Sequence, residues 1–179
     1  MNKKILPMSD TFQRYGITLA PSSVITTLLL GALNAWTYDY RKPQNELRNR
    51  SLQLRNLADE ALGKYKVQLS QELSRLRKLL PEPTRENSDP PMEGLAAVKA
   101  LDAYIRSVES LRVRVQGAAI PPQEFVHHSQ AGNQILLTEL QNIDSDILRV
   151  LSELTPSTIE QVTDLLANRD DLLSQFQKS

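Results

Sequence analysis

Twenty consecutive residues, Ile17 to Trp36 (ITLAPSSVITTLLLGALNAW), carry no charged side chain. At 1.5 Å per residue a helix of that length is about 30 Å long, the thickness of the hydrocarbon core of a bilayer. A stretch like this has to be covered, and lipid, the chain's own core and a partner protein are the available covers.

Ile17, Leu19, Val24, Ile25, Leu28, Leu29, Leu30 and Leu33 favour insertion by roughly 0.3 to 0.6 kcal/mol each. Pro21, Ser22, Ser23, Thr26, Thr27 and Asn34 oppose it. Trp36, Tyr38 and Tyr40 and then Arg41 and Lys42 follow, the order of an aromatic belt and a charged stop at an interface. Tyr15 and Arg14 bracket the other end. The expectation is a single transmembrane helix over residues 17–36 after an N-terminal tail of residues 1–16. Ile25, Leu28, Leu29, Leu30, Leu33 and Trp36 are its anchor, and Arg41, Lys42, Arg48 and Arg50 reach lipid headgroups.

A cleaved secretory signal fits less well. Pro7 and Asp10 interrupt its opening, and cleavage after Ala35 would put Leu33 where a small residue is required. A buried core helix is the second rival, suggested by five hydroxyl side chains and Pro21 within the stretch. Lys3, Lys4 and Arg14 precede the apolar run, whereas Arg41, Lys42, Arg48, Arg50 and Arg55 follow it. That excess favours a cytoplasmic C-terminal domain over a periplasmic one on a single-pass protein of the cell membrane.

The remainder reads as helix. Aromatics are 5% of the chain and glycines number six, whereas Leu, Gln, Glu and Arg abound, a balance that leans away from strand. Leu47, Leu54, Leu57, Ala61, Tyr65, Leu69, Leu73, Leu76 and Leu80 recur at steps of three and four, which predicts one long basic amphipathic helix over residues 41–80. Its stripe, represented by Leu54, Leu62, Leu69, Leu73, Leu76 and Leu80, is the expected surface for a protein partner or for self-association as a coiled coil. The proline-rich stretch 81–94 ends that helix. Three further helices follow in residues 95–179 and pack with residues 41–80. The first carries Leu95, Val98, Leu101, Ile105, Val108, Leu111 and Val115, and a second is expected from Pro122 to Glu153. The last begins at Ser157–Glu160 (STIE), which has the form of a capping box. The fold class is all-α: a transmembrane helix, a long amphipathic helix and three more helices in an antiparallel bundle or coiled coil.

Charge is balanced overall but unevenly placed. Residues 41–80 hold ten basic and four acidic side chains, and residues 120–179 hold three basic and nine acidic. These segments are expected to pair across the bundle, with the basic one also able to lie near anionic lipid.

Motifs of chemistry are sparse. The chain has no cysteine, which removes disulfides, thiolate metal sites and cysteine nucleophiles. His127 and His128 are adjacent, so on a helix they diverge and cannot jointly grip one metal; Glu124 one turn before His128 is a weak ligand partner. Asp144 with Asp146 and Asp170 with Asp171 are spread around their helix in the manner of a solvated face rather than an acid–base pair. Arg75 to Lys78 (RLRK) lacks the aromatic platform that a nucleic-acid site would use. No cofactor, metal, nucleic acid or small-molecule substrate is implied, and an enzyme is not expected. The expected role is a membrane-anchored helical scaffold or adaptor that binds partners through helix–helix contacts. The alternatives are an extracytoplasmic helical sensor or ligand-binding module and an envelope-spanning rod.

Overall fold

The computed structural model describes residues 12–34, 43–81, 92–120 and 131–176, and among them every regular element is helical. A single helical turn at residues 12–14 leads into α1 (Ser23–Asn34), α2 (Pro43–Leu79), α3 (Met92–Gly117), α4 (Ala131–Ser152) and α5 (Ile159–Phe176). The long helix expected from periodicity is thus present nearly to the residue. Pro43 sits in its first turn, where a missing N–H costs nothing, and Arg77 and Lys78 complement the dipole in its last. The final helix starts where STIE placed it, by a different cap. The Ser157 hydroxyl pairs with that of Thr155, and Thr158 supplies the first helical acceptor, its carbonyl receiving the Val162 amide.

Helices α2 and α3 form an antiparallel hairpin, pinned by pairs that advance along one helix and retreat along the other: Arg55 with the Ala118 carbonyl, Asp59 with Arg112, and Lys66 with Glu109. Their middle is fixed by Tyr65 and Tyr104, edge to face at 6.2 Å with hydroxyls 3.0 Å apart. A second, shorter hairpin of α4 and α5 lies against the first, α4 touching α2 and α5 touching α3. Leu54, Leu62, Leu101, Val108, Ile147, Leu148, Leu151, Val162 and Leu166 form the shared core.

The short hairpin covers only one half of the long one. Helix α2 has 37 residues and α5 has 18, about 55 Å against 27 Å. Leu154, at the turn between α4 and α5, brings its carbonyl 3.4 Å from the Tyr65 hydroxyl, halfway along α2. Beyond that level the chain's N-terminal segment takes over. Residues 12–22 run as a strap along α2 and α3, and Phe12 and Ile17 join the same apolar cluster as Leu69, Leu76, Ala97 and Leu101.

The transmembrane expectation is corrected here. No helix among the described residues is long and apolar enough to cross a membrane. Pro21 and Ser22 divide the uncharged stretch, leaving a 12-residue α1, about 18 Å long, whose first amide bonds return to the Ser22 carbonyl. The cover chosen is protein: Ile17, Ile25 and Leu29 are buried in the core, and Thr26 reaches the Ser152 carbonyl of α4. Trp36, Tyr38, Tyr40, Arg41 and Lys42, the expected interface belt, lie outside the described residues, as do most of the proline-rich linker, Glu124, His127 and His128.

Candidate functional site

The leucines expected to meet a partner are engaged within the chain. Leu54, Leu62, Leu69, Leu73 and Leu76 are buried in its own core, and Leu80 is half-buried beside Gly94. Of the expected anchor residues Leu28 and Leu33 pack partly against that core, Leu30 is 40% exposed, and Ile25 and Leu29 are enclosed. Arg48 is exposed, and Arg50 is half-buried near enough to draw on the carboxylate of Asp144.

What α2 leaves open is its opposite face. A groove of about 800 Å³ runs from Gly63 to Leu79 beside α3. Gly63 stands at one end of it, and the Arg112 guanidinium lies over the α2 backbone there, 3.6 Å from where a Cβ would stand, an ordinary contact distance. Two hydrogen bonds of 2.7 and 3.2 Å from Arg112 to Asp59 fix that guanidinium, and the Gln116 amide donates to the same Asp59 carboxylate at 2.7 Å. They hold the Asp59 carboxyl below its ordinary value, the Arg112 bond contributing most, against the opposing pull of burial. Further along, the Ser70 and Ser74 hydroxyls donate to carbonyls one turn back, at 2.8 and 2.9 Å, so the floor is hydroxyl-lined but internally satisfied.

The groove combines two chemistries. Among the described residues its lining includes Lys66, Arg75, Lys78 and Arg112 and no carboxylate. Lys66, Arg75 and Arg112 each have an acidic neighbour just outside it. Apolar side chains are exposed in it as well, Val67 by 57% and Leu79 by 55%. Exposed apolar side chains at its two ends with cations and hydroxyls between them suit an amphipathic helix that carries acidic residues.

A second convergence of polar groups is buried. Arg169 on α5 is 1% exposed and donates from Nε to Asp144 at 2.8 Å, from one terminal nitrogen to the Ala119 carbonyl at 2.7 Å, and from the other to the Ser51 hydroxyl at 2.6 Å. One side chain thereby joins α2, the end of α3, α4 and α5. Asp170 beside it accepts from the Ala119 amide at 3.1 Å. The reading of Asp144 as part of a solvated face is corrected: it is 3% exposed, and burial raises its carboxyl against the counter-pull of Arg169 and Arg50. Asp146 behaves as expected, half-exposed and paired with Arg149 one turn on. The cavity beside Arg169 measures about 10 Å³, the space of one water at most. With its donors committed and no room for a substrate, this cluster ties helices together.

The sequence carried an overlooked sign of it. Ser51, Asp144 and Arg169 all occupy positions where the apolar repeat asks for a hydrophobic residue: Ser51 three before Leu54, Asp144 between Leu140 and Ile147, Arg169 between Leu166 and Leu173. Polar residues in phase with a core stripe on separate helices are candidates to meet.

A third polar set surrounds Tyr65, whose hydroxyl contacts the Leu19 carbonyl and the Tyr104 hydroxyl. Burial drives the Tyr65 phenol far above its ordinary range and pushes Tyr104 up to about 12, so both remain neutral donors. Among the described residues no group of three His, Asp or Glu side chains is placed to hold a metal ion.

Fold and site together define a cysteine-free all-α bundle with one oversized hairpin and an open basic–apolar groove on it. The chain matches no family model, and no curated protein or solved structure resembles it significantly.

Proposed function

We propose that the protein is a helical adaptor without catalytic activity of its own, and that it binds a partner protein along the outer face of α2. The observation that supports this reading is the composition of the groove: exposed Val67 and Leu79 flanked by Lys66, Arg75, Lys78 and Arg112, on the longest helix. The partner contributes an acidic amphipathic helix, because helix–helix docking buries Val67 and Leu79 while the acidic edges meet the cations.

The test is site-specific photo-crosslinking in cells. A crosslinking residue at Gln71, in the groove, is expected to give one discrete adduct. One at Gln161, on the exposed side of α5, gives none. Adding Val67→Asp, Lys78→Glu and Leu79→Asp removes the Gln71 adduct with only a small fall in melting temperature, since all three side chains are exposed and the one structural loss is the charge of Lys78 at the end of α2. Equal labelling from Gln71 and Gln161, or an adduct indifferent to the triple change, defeats the reading.

A further inference from the structure

The strap of residues 12–22 is held in a way that describes what its cleft can bind. The Ile17 amide donates to the Phe12 carbonyl and the Gly16 amide to the Gln13 carbonyl. Gly16 has φ of 62°. This is a Schellman closure of a helical turn, the geometry that brings the residue after the glycine against the one five before it. Here those residues are Phe12 and Ile17, 3% and 7% exposed, while Gln13, Arg14, Gly16, Thr18 and Ala20 face solvent.

The strap's other attachments to α2 are made through its main chain. Gln68 acts as a two-pronged clamp, its Nε2 donating to the Ala20 carbonyl at 2.7 Å and its Oε1 accepting from the Ser22 amide at 2.9 Å. Tyr65 contacts the Leu19 carbonyl, and Arg75 the Gly16 carbonyl at 3.4 Å. Tyr15 and Leu19 pack partly against the same core, so the site reads backbone atoms and two fully buried apolar anchors and asks less of the remaining side chains. Among the described residues the strap's one side-chain ion pair, Arg14 with Glu93, is 60% exposed on both sides, and such pairs contribute little.

We propose that the cleft between α2 and α3, from Tyr65 to Leu80, is a second docking site, and that the strap is its resident occupant. The competing occupant is a partner segment of the same form: a helical turn closed by glycine, with a large apolar residue at its start and another directly after the glycine. Release of the strap without a replacement opens the part of the apolar cluster that Phe12 and Ile17 complete, around Leu69 and Leu76, each 0% exposed in the closed molecule. Opening is therefore coupled to capture of an incoming segment. This cleft lies on a different side of α2 from the Gly63–Leu79 groove, with Arg75 reaching both, and the proposal stands independently of that groove.

The test uses the absence of native cysteine and the full chain. Leu76→Cys places a thiol in the apolar cluster that the strap joins, and Leu148→Cys places one on α4, 0% exposed in the core shared with the long hairpin, as a control. With Phe12→Asp and Ile17→Asp in the same chain, the thiol at position 76 is expected to react with a disulfide reagent about tenfold faster or more, while the thiol at position 148 keeps its rate. A synthetic peptide of residues 12–22 then restores the slow rate at position 76, and the same peptide with Gly16→Val does not. If the double change also opens position 148, Ile17→Ala replaces it as a smaller disturbance. Three outcomes overturn the proposal: a thiol at position 76 as slow in the strap variant as in the parent, a peptide that fails to protect, or protection by the Gly16→Val peptide as well. Protection that grows with protein concentration and no peptide overturns the partner segment in favour of a second copy of the chain.

Discussion

At the scale of the residue, Arg169 and Asp144 show how a buried ion pair specifies a fold without adding much to its stability. Burial raises the Asp144 carboxyl in the fold, so its ionised form is held at a cost even with Arg169 at 2.8 Å. Arg169→Met, which leaves that carboxylate without its partner, is expected to lower unfolding free energy by about 3–5 kcal/mol. The combination with Asp144→Leu should recover most of the loss in urea titrations. A double variant as unstable as the single one would show that the pair is a net source of stability. Gly31 makes the opposite case. Nothing lies within 4 Å of a Cβ built there, so Gly31→Ala is expected to raise stability by up to about 1 kcal/mol through helix propensity alone. At Gly94 a Cβ would collide with the Leu80 side chain and lie 3.2 Å from the Tyr15 hydroxyl, and Gly94→Ala should loosen the strap contact instead. The polar residues of the core are legible in the sequence only as interruptions in apolar stripes. Periodicity places a residue on a face and is silent about which interruption finds a partner across the bundle.

At the scale of the element, apolar repetition outlines α2 and α3 nearly completely, because a helix packed along its whole length must repeat its buried face. The phase of α3 shifts in its first turns, where Ala97 and Tyr104 are more deeply buried than Val98 and Ile105. Small Ala97 and hydroxyl-bearing Tyr104 are poor core candidates by type, although a strap and a facing tyrosine give them a place. The joint between these helices titrates. Asp59 has a folded pKa below its unfolded value of about 3.9. Its contribution is therefore present above about pH 4 and lost as pH falls through the folded value. Asp59→Asn is expected to flatten that part of the acid limb in a stability–pH profile, and an unchanged limb would show the pairing with Arg112 to be without effect. Tyr65→Phe removes the hydroxyl that joins strap, α3 and the α4–α5 turn. It should cost about 1–2 kcal/mol and speed amide exchange in residues 17–22 before the rest of the chain.

At the scale of the whole molecule, the uncharged stretch shows the limit of reading length and hydropathy alone. It can be followed in three dimensions from Ile17 to Asn34, and the break at Pro21 and Ser22 turns one apparent span into a strap and a short helix. Hydroxyl side chains and a proline are the visible hints, and no rule of composition weighs them against a neighbouring hairpin that needs covering. Leu29→Arg is accordingly expected to unfold the purified protein, with a loss on the order of 3–5 kcal/mol, because Leu29 is 0% exposed in the bundle. An unaltered melting curve would remove α1 from the core. The unequal hairpins also give the molecule a grain under load. Its thick end has α2 and α3 backed by α4 and α5, whereas its slender end has α2 and α3 backed by a strap. A pull applied at the tip of the long hairpin meets the weaker backing first. When that tip is pulled in a force experiment, the strap is expected to part first, with the knot around Arg169 still tied when it does.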